Sequence, residues 1–410
     1  MRKEIYQPIS IYTLWLSLYP IVSIILLEHF PDSIPEIVPK FANETIDRFK
    51  IISLTATTAL VLSSYLPQIK LTPREDFKAV DNIARGKFFK FLSTVLIALV
   101  VLSIATHKDI YLNGYIYQNL RASDWAPEIA NAINTVTTLE LLFLISLQGL
   151  FLSTPVEKLA KEKYFKIIIA TYIIIKILTG SRLLLVVLGL SFFYTSENFK
   201  RKKLNQSRAI LLGIAILAMF TAFNLVRSPD SRNIAKATMN FSYEFLFASI
   251  SALNSVELSG KPDTPDFFET LGDSIKSIVP SLIMGGANEK TSTLNYESWK
   301  SKIGGFQRIS PVGGYYLPGQ VYLTTSSLLS VFAYFLGLGS LLKLAERKIK
   351  SNTKLITKII YLQICTFGIV FGARTEIWIY HKMYIQQFIL TSFFIYFLWL
   401  AFRQIKKSIK

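Results

Sequence analysis

Residues 164–196 read YFKIIIATYIIIKILTGSRLLLVVLGLSFFYTS: two apolar runs with Gly180-Ser181-Arg182 between them. Each run approaches the length that crosses a bilayer, and in lipid every backbone amide must find its partner within the segment, so each reads as a spanning helix. Lys158, Lys161, Lys163 and Lys166 precede the pair, and Lys200, Arg201, Lys202, Lys203 and Arg208 follow it. Lys and Arg flanking short connections stay on the cytoplasmic side, which places the Gly-Ser-Arg tip on the opposite face.

Working outward, the same alternation holds along the chain. Apolar runs occur at about 9–28, 51–66, 88–106, 130–153, 164–179, 182–196, 209–226, 318–342, 355–371 and 384–402. Basic residues crowd every second connection: Lys70 to Lys90, Lys158 to Lys166, Lys200 to Arg208, Lys343 to Lys358, and both chain ends. That phase holds 27 of the 45 Lys and Arg, so both termini are expected in the cytoplasm. The composition agrees: 51% hydrophobic, 18% charged and a mean hydropathy of +0.40 exclude a soluble enzyme carrying one anchor. The expected fold class is an all-α polytopic membrane protein of about ten transmembrane helices. It divides into a seven-span bundle at 1–226, a long outer-face segment at 227–317 and three spans at 318–410. The first span is expected to be retained, because His29-Phe30-Pro31 follows it with no small-residue cleavage site.

The net charge of +18 is thereby accounted for by topology, and no nucleic-acid partner is expected. Cys365 is the only cysteine, and His29, His107 and His381 are widely separated, so neither a disulfide framework nor a structural metal site is expected, and no cofactor. No internal repeat or pair of interrupted spans suggests transporter symmetry.

Candidate chemistry lies on the outward phase. An arginine at a bilayer centre costs about 2.5–3.5 kcal/mol on insertion scales and is cheap only at an interface or beside an anion. Arg182 sits in a turn that would present backbone N–H groups beside a forked guanidinium, a geometry suited to phosphate at headgroup depth. Snorkelling explains it equally well. Lys176, deeper on the same span, would snorkel or support the same anion. Arg227, Arg232, Arg308 and Arg374 also stand at boundaries between membrane and outer loop. Several converging would favour a lipid-linked diphosphate, and each alone reads as a topology anchor.

For the acid–base role the order of candidates is Glu244, Asp230 and His381. Glu244 lies in Phe241-Ser242-Tyr243-Glu244-Phe245-Leu246-Phe247, an apolar stretch where burial would raise a carboxyl group toward the working range. A solvated interfacial carboxylate is the alternative. No Asp-x-Asp pair of the kind that holds a metal against a nucleotide sugar stands out. Tyr315 and Tyr322 belong to an aromatic group that fits either an interfacial belt or a saccharide cleft.

The Gly-Ser-Arg hairpin, the long outer loop, Ser310-Pro311-Val312-Gly313-Gly314 and Pro318-Gly319-Gln320-Val321-Tyr322-Leu323 together resemble the O-antigen polymerase (Wzy) family of bacterial repeat-unit polymerases. The resemblance implies a GT-C-like glycosyltransferase of the cytoplasmic (inner) membrane. Such an enzyme joins undecaprenyl-diphosphate-linked oligosaccharide units on the outer face without metal or nucleotide, among membrane lipids and with a possible chain-length regulator beside it. Arg182 would hold a diphosphate, with Arg227 and Arg374 as further clamps and Arg232 and Arg308 behind them. Tyr315, Tyr322 and Gln320 would meet saccharide. Gln320 stands where an acidic residue is expected, so no carboxylate role passes to it. Two other readings stay open. An O-antigen ligase would share these features, but residues 227–317 lack the histidine that the ligase pattern places there. A flippase of lipid-linked oligosaccharide would bind the same headgroup without bond formation.

Overall fold

The structure, a computed structural model, describes residues 7–36, 38–66, 80–108, 111, 127–179, 183–196, 234–260, 266–268, 271, 315–351, 354–373, 381, 384 and 391–408. Among these there is no strand. In chain order the α-helices are α1 (Pro8–His29), α2 (Asn43–Tyr65), α3 (Val80–Thr106), α4 (Pro127–Ser153), α5 (Val156–Leu159), α6 (Lys163–Thr179), α7 (Leu183–Thr195), α8 (Ile234–Leu258), α9 (Leu317–Thr325), α10 (Leu328–Lys350), α11 (Leu355–Gly372) and α12 (Thr391–Ser408). Five stretches are long and apolar enough to cross a membrane: α1, Arg85–Thr106 of α3, Thr135–Ser153 of α4, α10 and α11. Every regular element among the described residues is helical, and the chain is a multi-pass membrane protein.

The helices at 8–29, 127–153, 163–179, 183–195 and 355–372 follow the apolar runs closely, while α3 starts eight residues before its run. The run at 209–226 lies outside the described residues. Two elements differ from the reading of the sequence. The run at 318–342 is not one span: α9 stops at Thr325, and α10 begins at Leu328. Ser326 makes the break by adopting the left-handed conformation (φ 51°, ψ 21°), which for a residue with a Cβ must be held in place by its surroundings. Its N–H donates to the Tyr322 carbonyl over 2.7 Å, and the Ser259 hydroxyl donates to its side chain over 2.9 Å. The second difference is α8, a 25-residue helix within the segment read as the long outer loop. Its polar residues hid it: Ser249, Ser251 and Ser255 are fully buried and serve as small interface residues.

The chain forms two compact units. In the first (1–71, 238–347 and 367–386), α1 carries Pro20 in mid-helix. Proline has no N–H, so the Leu16 carbonyl loses its usual partner. The Tyr316 hydroxyl reaches that carbonyl at 3.4 Å, one of the ways neighbouring segments re-satisfy an interrupted spanning helix. α8 lies against α1 through the Ser23–Ser249 hydroxyl bond at 2.9 Å and the Tyr19–Phe245 edge contact at 5.0 Å. α10 approaches α2 at Gly339, where a Cβ would stand 2.8 Å from the Ser63 Cβ. Lys343 donates to the Leu66 carbonyl over 3.0 Å.

In the second unit (72–237, 348–366 and 387–410), α3 and α4 run together, joined by the buried Ser93–Ser146 hydroxyl bond at 2.8 Å. Gln148 of α4 donates to Ser191 of α7 over 2.9 Å and to Thr366 of α11 over 3.2 Å. Gln363 donates to Ser392 of α12 over 3.0 Å.

Candidate functional site

Pro318-Gly319-Gln320-Val321-Tyr322 forms most of α9, whose residues from Leu317 to Thr324 are all buried. Tyr316 precedes the helix in an extended conformation, and Pro318 lies in its first turn, where a missing N–H is harmless. The Tyr316 N–H donates to the Ser251 hydroxyl of α8 over 2.9 Å. At Gly319 a Cβ would lie 2.4 Å from the Ala252 Cβ and 2.5 Å from its Cα, so only glycine allows α9 this close to α8.

Tyr315, Gln320 and Tyr322 are thus brought together on one buried segment, each under about 8% exposed. The Tyr322 hydroxyl accepts from Arg48 of α2, from Nε over 3.0 Å and from Nη2 over 2.9 Å. The guanidinium carbon stands 5.4 Å from the ring centroid. Arg48 is exposed. A guanidinium has five N–H donors, and two of them serve Tyr322, so this fork keeps capacity to grip an anion. Sequence reasoning missed Arg48, because it falls in the charged approach to an apolar run and carries no motif. On the same helix Lys50 pairs with Glu28 at 2.7 Å and Asp47 at 2.9 Å.

Glu244 lies half-buried on α8 between two anchored neighbours. The Tyr243 hydroxyl donates to the Ser33 carbonyl, while the Phe245 ring meets Tyr19 at 5.0 Å and Trp15 at 6.1 Å. His381 shares a 3.0 Å hydrogen bond with the Tyr334 hydroxyl through Nε2, and its ring stands edge-on to Phe267 at 6.3 Å. Burial pushes the imidazole down to about 4. It is therefore neutral at pH 7 and a weak proton acceptor for a sugar hydroxyl, which suits positioning better than general-base work. Arg182, Arg227, Arg232, Arg308, Arg374 and Asp230 lie outside the described residues.

Lys176 does not snorkel. It is 2% exposed and forms an ion pair with Glu140 of α4, itself 4% exposed. The Tyr172 ring lies 5.6 Å from the ammonium and 5.0 Å from Phe143. Sequence reasoning also missed Glu140. The available signal was that a carboxylate inside an apolar run needs a cation, and Lys176 is one on another run.

A family model described as O-antigen polysaccharide polymerase Wzy matches residues 5–302. No curated protein and no solved structure matches the chain.

Proposed function

Because the chain belongs to the O-antigen polysaccharide polymerase Wzy family, we propose that it transfers a growing glycan from its undecaprenyl diphosphate onto the sugar of a fresh lipid-linked repeat unit. Polymerisation of O-antigen repeat units comes with the family. The finer steps are our reading, and the family match is the observation that carries them. In this reading the enzyme is GT-C-like, has about ten crossings with both termini in the cytoplasm, and works on the outer face of the cytoplasmic membrane.

The bond broken joins the anomeric carbon to the diphosphate. The bond formed joins that carbon to an acceptor hydroxyl, whose proton passes to a base. Charge developing on the departing diphosphate is best met by fixed cations. Arg182, Arg227 and Arg374 take that part, supported by Arg232 and Arg308, and need no metal for it. Arg48 is a separate candidate for gripping an anion: an exposed cation already oriented by Tyr322 beside the Pro-Gly-Gln-x-Tyr segment. Glu244 leads as base, with Asp230 as the second choice and His381 as a positioning group. Tyr315, Gln320 and Tyr322 shape the saccharide end. A chain-length regulator would act beside this machinery.

The test is a surface-polysaccharide gel from cells lacking the gene, complemented with wild type or Arg182→Ala at matched membrane abundance. The reading expects the null strain to lose the long-chain ladder and keep core bearing one repeat unit, with rescue by wild type and not by the variant. Loss of the single-unit band as well would indicate ligase or flippase. An unchanged ladder in the null strain would refute the polysaccharide role.

A further inference from the structure

In the first unit, Tyr322 occupies the side-on edge of the Arg48 guanidinium, the one formed by Nε and Nη2, and the ring contact steadies the same group. Of the five N–H donors of an arginine, three stay uncommitted, including the end-on pair from Nη1 and Nη2. Glu44 and Asp47 share the helix, but Asp47 is held by Lys50, and among the described residues no carboxylate pairs with Arg48. Tyr322 carries the second observation. Its hydroxyl oxygen accepts both bonds from Arg48, so its own O–H is left to donate, and among the described residues no group accepts that hydrogen. The side chain is 6% exposed, and a donor on so buried a residue is costly to leave unmet.

Both groups are held in place by the fold. Tyr322 stands on α9, which the close approach of Gly319 to Ala252 seats against α8. Arg48 stands on α2, which the Lys50–Glu28 pair ties to the last turn of α1. It lies just before the apolar run that begins at Ile51, at headgroup depth on the outward phase of the proposed topology. A cluster that offers only donors, one of them on a permanent cation, takes a ligand that offers only acceptors. Phosphate is such a ligand, and a guanidinium grips it through two parallel bonds. A diphosphate has oxygens enough for the Nη pair and the tyrosine together. A carboxylate also fits a guanidinium, but at headgroup depth the anion that the membrane supplies is phosphate.

We infer that Arg48 and Tyr322 form a fork that binds the diphosphate of a polyprenyl-linked substrate at the outer boundary of the first unit. The identity of the lipid rests on the polymerase reading. The fork is already formed in the resting protein, so it serves substrate binding rather than the charge that develops during transfer.

The experiment uses the full-length protein purified in a neutral detergent. Its thermal unfolding is followed during titration with farnesyl diphosphate as the probe, and with farnesol, inorganic diphosphate and glucuronate for comparison. Farnesyl diphosphate should stabilise the wild type saturably, and the other three should act at least about tenfold more weakly. Arg48→Gln and Tyr322→Phe should each lower the apparent affinity about tenfold, the loss expected for a hydrogen bond to a charged group. Arg48 is exposed, and the ligand-free melting point checks that each variant folds. Arg48→Lys keeps the charge without the fork, so it should recover only part of the affinity, and it carries the comparison if Arg48→Gln is unstable. No stabilisation by farnesyl diphosphate, or an unchanged affinity in the variants, would overturn the inference. So would an equal response to farnesol, to inorganic diphosphate or to glucuronate, which would point to the chain alone, a free anion or an acidic sugar. Polymerisation is not the readout, so a null strain that kept its ladder would refute the polymerase reading without altering the titration.

Discussion

Pro20 and Tyr316 lie 296 positions apart in the chain, yet one explains the other. Proline withholds the N–H that the Leu16 carbonyl would accept, and the fully buried Tyr316 hydroxyl offers a substitute at 3.4 Å. Tyr316→Phe should therefore cost about 1 kcal/mol in the wild type and close to nothing in a Pro20→Ala background, where the helix supplies its own donor. Unfolding of the four members of this cycle in detergent measures the coupling, and additive effects would refute it. His381 gives a pH-dependent counterpart. Its folded-state value of about 4 lies below the ordinary 6.5, so the unfolded chain binds the extra proton in that interval. Stability from this group is full above about pH 6.5 and falls as pH drops toward 4. Melting curves between pH 4.5 and 7.5 should steepen for wild type relative to His381→Gln on the acid side. Parallel curves would show that the imidazole is not buried in this way.

Between elements, buried polarity fixes which helices are neighbours. The Lys176–Glu140 pair joins α6 to α4, and Gln148 joins α4 to α7 and α11. A buried ion pair is expensive to form and still more expensive to halve. Lys176→Met or Glu140→Leu alone should destabilise by about 3–5 kcal/mol, while the two together should recover most of the loss. Lower membrane abundance of each single variant, restored in the double, is the expected pattern. A double variant as poor as the worse single one would mean that the charges have a role beyond joining two helices. The break at Ser326 belongs to this scale too. It divides an apolar run into a buried nine-residue helix and a separate span, which places Tyr322 against Arg48 rather than along a lipid-facing surface.

At the scale of the molecule, the chain is a membrane protein of the O-antigen polymerase family, and the proposed orientation, with both termini in the cytoplasm, is open to a direct test. Alkaline phosphatase fused after residue 290 should be active, and fusions after residue 204 or residue 410 should be inactive, while green fluorescent protein at the latter two sites should fluoresce. Reversed activities would overturn the proposed orientation.

The sequence by itself determined the class of molecule. Runs of apolar residues and alternating clusters of Lys and Arg are local properties, set by transfer free energy and readable in one dimension. The Gly-Ser-Arg and Pro-Gly-Gln-x-Tyr segments added the family. Helix α8 escaped, because serines that reach a packed interface and serines in a loop look alike until the partner helix is known. Arg48 and Glu140 escaped for the same reason, since their meaning rests on Tyr322 and Lys176, far away in the chain. Only the tertiary structure decided that Lys176 is paired rather than snorkelling and that Tyr316 completes α1. Each of these depends on a contact between distant segments, and pairwise burial has no signature in local composition.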